Sequence, residues 1–308
     1  MSDTKTTIDW LRFRTRAAAL DTLCAVQRLY GAIGERVSLE QLGKGRDGFQ
    51  SGANLLLDGL LIGRVDFGGS SQRGWLRVNI FGTGCEWVPD WDALDEIERL
   101  PQAEIRRLDI ALTTWSREVT HESVVAAHSA GRFVCGGRPP EMRCITSTDP
   151  RHGRTCYVGK RGSDKMFRGY EKGLQMAARW PALDLIEIDG HPVEDIYRCE
   201  VELQAETRPI NWQCVHQRDH YFAGAYPFLA DILPDVAPDV LLRRPERAAR
   251  LDLCDALAQC RIQFGAAIFT ALKAFDGDID AVMERVCGDH EHGGLVAAGV
   301  HLAKRSSG

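Results

Sequence analysis

From Ile8 to Leu203 the apolar residues fall in short runs with a period of two, cut apart by Gly, Asp and Pro. After Tyr226 the period lengthens to three and four. A period of two is that of a strand with one buried face, and a period of three to four is that of an amphipathic helix. The chain is therefore expected to be α+β: an antiparallel sheet body followed by C-terminal helices.

The runs can be placed. Residues 7–13 read as a strand and 17–30 as a helix, and 53–57, 60–67 and 75–81 form an antiparallel meander. Residues 90–97 have an acidic first turn and helical spacing, stopped by Pro101. A second strand set opens with 105–112, which carries Asp109 in its middle. Thr120 can cap a helix over 122–130 that Gly131 ends. Strands are expected at 154–160 and 196–203, with a basic loop or helix over 161–179 between them. Helical spacing marks 228–233, 246–275 and 279–286. The sequence shows no internal repeat and no low-complexity linker. Prolines 234, 238 and 245 suggest a body over 1–233, divisible into halves 1–100 and 101–233, and a helical region over 245–308.

Composition limits the partners. Among 308 residues, 38 Lys and Arg stand against 43 Asp and Glu, a net charge of −5. Such a chain offers no general attraction to nucleic acid or to an anionic membrane, so a polyanion must be met by a local patch. No apolar run approaches the roughly 18 residues that cross a bilayer, and MSDTKTTIDW holds no apolar signal core. The expectation is a soluble cytoplasmic protein that does not engage the membrane. Ten cysteines are scattered singly without a C-x-x-C pair, a pattern of reduced thiols.

Three groups of residues could carry chemistry. Between Arg151 and Lys172 the cations Arg151, Arg154, Lys160, Arg161, Lys165, Arg168 and Lys172 face only Asp164 and Glu171, which reads either as a solvated face or as a phosphate footprint. Tyr170 stands inside this stretch, with Arg168 and Lys172 two positions to either side, able to stabilise a phenolate and hold a phosphodiester beside it. Glu200 and Glu202, two apart on a strand, project from one face. If Asp109 lies on a neighbouring strand and points the same way, three hard oxygen ligands converge on a divalent ion; otherwise they are a polar outer face with cross-strand ion pairs. Tyr197, Tyr221 and Tyr226 read as buried or stacked aromatics, with Tyr221 and Tyr226 the alternatives to Tyr170 as nucleophile, and His216 and His220 read as structural or surface groups. His290-Glu291-His292, near Cys287 and Asp289, reads as an exposed loop.

Four ordered blocks resemble a known family: Arg107-Leu108-Asp109-Ile110-Ala111, then Tyr157 to Lys165, then Arg168-Gly169-Tyr170-Glu171-Lys172-Gly173, then Arg198-Cys199-Glu200-Val201-Glu202-Leu203. Together they are similar to the replication initiation factor family of rolling-circle initiators, and Tyr221 to Pro227 resembles its filamentous-phage branch. The resemblance implies a metal-dependent DNA nickase and strand transferase acting at a replication origin through a 5′-phosphotyrosyl intermediate. It implies that Tyr170 is the nucleophile assisted by Arg168 and Lys172, and that Asp109, Glu200 and Glu202 hold Mg²⁺ or Mn²⁺. Arg154, Lys160, Arg161 and Lys165 would contact origin DNA, duplex and single strand. A host replicative helicase and a second copy of the chain are the further partners expected. Two departures stand out: Thr113 where relatives often carry a second acid, and Gly169 before the tyrosine in place of a bulkier residue. Asp9 belongs to a block relatives share, with a supporting polar contact as its only assigned role. The rival readings are a non-catalytic origin- or operator-binding protein of the same fold and a phosphodiesterase that uses water.

Overall fold

A computed structural model describes residues 5–240 and 253–288. The chain divides into two units, residues 1–242 and 243–308. The first begins with β1 (Thr7–Thr15), α1 (Ala19–Leu29), β2 (Val37–Leu42), β3 (Ser51–Leu57), β4 (Leu60–Phe67) and β5 (Leu76–Ile80). Short helices α2 (Gly82–Cys85) and α3 (Asp95–Glu98) lead to β6 (Glu104–Thr114), α4 (His121–Ser129), β7 (Met142–Thr146), β8 (Arg154–Val158) and β9 (Lys165–Tyr170). Helix α5 (Lys172–Ala177) and a two-stranded hairpin, β10 (Glu187–Ile188) and β11 (His191–Pro192), precede β12 (Tyr197–Gln204). Helices α6 (Gln213–His216), α7 (Arg218–Ala225) and α8 (Pro227–Ile232) complete the unit, and the second unit holds α9 (Leu253–Ala274) and α10 (Ile279–Val286).

Ten strands pair antiparallel in one sheet, in the order β2-β3-β4-β5-β1-β6-β12-β9-β8-β7. The α+β class read from the sequence is borne out. The order also contains a repeat that the sequence conceals. Strand β1, helix α1 and strands β2 to β5 form one half, laid out 2-3-4-5-1; β6, α4, β7, β8, β9 and β12 form the other, laid out 7-8-9-12-6. The two copies meet antiparallel at β1 and β6, where Leu11 pairs with Leu108 and Arg12 with Arg107.

Side-chain alternation gives the sheet two unlike faces. Leu11 and Phe13 of β1, Val78 and Ile80 of β5, Leu108 and Ile110 of β6, Val201 of β12 and Phe167 of β9 are all buried in the core. The core also takes Val26 and Leu29 of α1, Val124 of α4 and Phe222 and Leu229 of α7 and α8. The intervening positions carry Arg12, Arg77, Arg107, Asp109, Glu200, Glu202 and Arg168, so the second face is polar. Directly paired residues of an antiparallel ladder share a face. Tyr157, Arg168, Glu200 and Ala111 therefore stand in one row across β8, β9, β12 and β6 on the polar face. The next row in core register is Cys156, Gly169, Cys199 and Leu112.

Three local expectations need correction. The span 161–179 is neither loop nor helix throughout: residues 165–170 form β9, because Met166 and Phe167 bury against the strand's neighbours. Strand β2 was not anticipated; its only fully buried residue is Val37, so the alternation there is faint. The helix expected over 90–97 is a 3-10 turn, Trp91–Leu94, running into α3. Elsewhere Thr120 does cap α4, accepting from the Ser123 N–H at 3.1 Å while the Ser123 hydroxyl receives the Thr120 N–H at 2.9 Å. His290 and His292, together with residues 246–252, lie outside the described residues.

Candidate active site on the polar face of the sheet

Tyr170 ends β9, and the chain then turns into α5, so Lys172 is delivered beside the tyrosine instead of continuing the sheet. Gly173 permits this turn, since a methyl group there would collide with the Val193 carbonyl, toward which its own N–H side is folded through a hydrogen bond to Ile196 O at 3.1 Å. Gly173→Ala is expected to push α5 off its seat, costing about 1–3 kcal/mol and displacing Lys172. Thermal unfolding would report the loss, and an unchanged melting temperature would contradict the packing described.

The phenol of Tyr170 is buried and donates a hydrogen bond to Glu200 Oε1 at 2.6 Å. Burial, and then the negative charge of Glu200, push this phenol well above its ordinary pKa. Arg168 forms an ion pair with the other oxygen of Glu200, its Nε at 2.8 Å from Oε2. Its guanidinium also lies 5.0 Å from the Tyr170 ring centroid, and Lys172 Nζ lies 5.7 Å from the same centroid. Burial, followed by the repulsion of Arg198, lowers Lys172 to about 8. Burial raises Glu200 despite the opposing pull of Arg168. A carboxylate with raised basicity thus receives the hydroxyl of a tyrosine that two cations flank.

Asp109 and Glu202 are direct partners across β6 and β12, and Arg107 reaches both, at 2.6 Å and 2.9 Å. Burial drives Asp109 up to about 6 in spite of that arginine. Cross-strand ion pairing, the blander reading of these acids, is therefore present, and so is the shared face that the metal reading required. Among the described residues the oxygens of the three acids do not all lie within 4.8 Å of one another. Their kind fits a hard divalent cation, since three buried carboxylates are suitable oxygen donors. Arg107 and Arg168 now compensate their charge, and both would have to withdraw for the acids to share an ion.

Asp9 and Arg198 also belong to the site; Asp9 was expected only as a strand-edge or supporting polar contact, and Arg198 was assigned no role. A bulge in β1 between Ile8 and Trp10 turns Asp9 toward β12, where Arg198 donates to Asp9 Oδ1 at 2.9 Å and to Thr113 Oγ1 at 2.8 Å. Thr113, the departure from the usual acid, thus holds an arginine in place. The other departure has a steric reason: a side chain on Gly169 would start 2.8 Å from the Tyr197 hydroxyl, on the core face. Position in sequence could have suggested Asp9 but not Arg198, whose partner lies 189 residues away.

A cleft of about 270 Å³ collects Asp9, Arg107, Asp109, Arg168, Tyr170 and Lys172. Of the four cations expected on DNA, Lys160 and Arg161 sit exposed at the β8–β9 turn and line a second cleft of about 470 Å³ with Arg143 and Tyr157. Arg154 and Lys165 turn to the helix-covered face. Arg154 is held by Glu171 and Glu122, and Lys165 by the Ala225 carbonyl, so neither joins the site. Their strand parity, opposite to that of Arg168, is the physical reason. Tyr197 and Tyr226 are buried in the core, and Tyr221 packs against it.

No curated protein matches the chain. A solved structure titled as the rolling circle replication initiator protein from Geobacillus stearothermophilus is similar in fold, with a TM-score of 0.55 and 19% identity, covering 77% of this chain and 99% of that one. The family described as replication initiation factor matches residues 103–239, the stretch that carries β6, β9, β12 and the tyrosine. Over residues 103–239 the chain is thus similar to the replication initiation factor family, and its fold is similar to that of a rolling circle replication initiator.

Proposed function

We propose that the protein nicks and rejoins one DNA strand at a replication origin, with Tyr170 as the nucleophile. The observation that carries this reading is the 2.6 Å hydrogen bond from the buried Tyr170 hydroxyl to Glu200, beside Arg168 and Lys172. In the proposed step the phenol oxygen forms a bond to the scissile phosphorus, its proton passes to Glu200, and the bond from phosphorus to the 3′-oxygen breaks. The strand is left with a free 3′-hydroxyl and a 5′-phosphotyrosyl link. Arg168 and Lys172 offset charge on the phosphoryl oxygens. Lys172, at about 8, can supply the proton that the departing 3′-oxygen requires. Because the phosphotyrosyl link conserves the phosphodiester bond energy, the returning 3′-hydroxyl can rejoin the strand without ATP.

Asp109 and Glu202, joined by Glu200 until it takes the tyrosine proton, would hold a divalent ion, Mg²⁺ or Mn²⁺. When bound, such an ion polarises a phosphoryl oxygen. Lys160 and Arg161, with Arg143 and Tyr157, offer the adjoining cleft to the phosphate backbone, so binding should weaken steeply with salt. No helix among the described residues is long and apolar enough to cross a membrane. The test is incubation with supercoiled DNA carrying the element's own replicon, with and without EDTA, then mass mapping of DNA-linked peptide. A Tyr170 peptide formed only with metal supports the proposal. Nicked DNA with no protein attached would replace it with hydrolysis by water.

The acid cluster adds a pH signature. Asp109 takes up a proton as pH falls through about 6, and a protonated carboxyl is a poor cation ligand. Stabilisation by Mn²⁺, read as a shift in melting temperature, should be large at pH 7.5 and fade below pH about 6. A shift independent of pH over that range would remove Asp109 from the ligand set.

A further inference from the structure

The helix-covered face, opposite Tyr170, carries a second cluster of metal-binding side chains. Cys144 of β7 and Cys156 of β8 are direct cross-strand partners, and His121 is the first residue of α4, which packs above β8. The imidazole nitrogens lie 3.6 Å from Cys156 Sγ, and Cys144 Sγ lies 2.7 Å from Cys156 Sγ. Ligand atoms of all three residues fall within 4.8 Å of one another. Cys156 and His121 are buried, whereas Cys144 is exposed, so the cluster opens to solvent on one side.

We infer that His121, Cys144 and Cys156 form a zinc site, separate from the catalytic carboxylates, that ties the edge strand β7 to β8 and to the start of α4. Two thiolates and an imidazole are the donor set that zinc prefers, with a fourth tetrahedral position left for water. Zinc bond lengths put a sulfur and a nitrogen of one tetrahedron about 3.6 Å apart and two sulfurs about 3.7 Å apart. The Cys156 to His121 separation already has that value. The exposed Cys144 thiol must swing outward by about 1 Å, which its position at the sheet edge allows. Burial, and then Arg154, keep the imidazole neutral and ready to ligate. Burial raises the Cys156 thiol, so zinc must displace its proton on binding. The capping box at Thr120 and Ser123 fixes the first turn of α4 and with it the backbone of His121. The ligands stand 23 and 12 residues apart in sequence, at 121, 144 and 156, which is why no spacing pattern betrays them.

The test uses the full chain, reduced and stripped of metal, titrated with Co²⁺ and then with Zn²⁺. The expected result is a thiolate-to-cobalt charge-transfer band with tetrahedral d–d absorption, saturating at one ion per chain and abolished by one equivalent of Zn²⁺. Cobalt on the carboxylate face gives no thiolate band, so the readout is blind to the nicking site and to whether nicking is its activity. Cys144→Ser, at an exposed position that threatens neither fold nor nicking, should weaken zinc binding by more than about 100-fold. Absence of the thiolate band in the reduced protein would overturn the inference. So would a mass 2 Da lower with both thiols blocked to alkylation before reduction, because the pair would then be a disulfide.

Discussion

Tyr170→Phe should abolish the covalent DNA adduct and lower nicking by at least about 10⁴-fold, with the affinity for origin DNA unchanged. The substitution removes one oxygen and retains the ring between Arg168 and Lys172, so the cations that face phosphate stay in place. It also leaves Glu200 Oε1 without the hydroxyl at 2.6 Å, yet Arg168 continues to compensate that carboxylate. Stability should therefore change little, which separates loss of chemistry from loss of fold. Gel-resolved adducts and a binding isotherm on the same preparation measure both quantities. A variant that still nicks at the parental rate would favour the water-using phosphodiesterase. Parental binding with no nicking by the unmodified chain under any divalent ion would favour the non-catalytic origin binder.

The largest stability effect is expected far from the tyrosine. In the first half of the sheet Asp66 is fully buried, accepting from Arg64 Nε at 2.8 Å, from Arg77 at 2.7 Å and from the Arg46 N–H at 3.0 Å. Gly52 makes room for this group, since a Cβ there would lie 2.5 Å from the Arg64 guanidinium. Asp66→Ala leaves two guanidinium groups facing each other without the shared carboxylate, and should cost about 3–5 kcal/mol. Burial alone would raise the Asp66 pKa, but Arg77, the Arg46 N–H and Arg64 outweigh it and hold it below its ordinary value. Its contribution is thus present above the unfolded pKa of an aspartate and is lost as pH falls through the lower folded value. Chemical denaturation of parent and variant at neutral pH checks the magnitude, and a difference below about 1 kcal/mol would show that the arginines find other partners.

Much of the fold was legible because its strands are amphipathic. The alternation in residues 196–203 places Glu200 and Glu202 on one face, and the register then supplies what alternation alone could not, that Asp109 lies opposite Glu202. What could not be read is which cation turns which way. Arg154, Lys165 and Arg168 are equivalent in a charge count, but strand parity sends the first two to the helical side. The ion pair of Arg198 with Asp9 depends on a bulge and on a partner from the other half of the sheet, and neither leaves a local trace. The repeat was hidden for a related reason: the two halves share a strand order while residues at matching positions differ. If Leu11 and Leu108 mark the seam, Arg77 and Asp66 stand where Glu200 and Arg168 stand, with their charges exchanged.

That exchange limits what one molecule can do. Two residues beyond Arg168 comes Tyr170, but two beyond Asp66 comes Gly68, so the matching position of the twin half has no phenol to offer. Under the proposed mechanism, while the Tyr170 oxygen stays esterified to a 5′ end, the other half would have no matching phenol to open a regenerated origin by the same route. A second cleavage in the proposed cycle would then call for water or for another tyrosine, and its stoichiometry would follow from how the two halves differ at this one position.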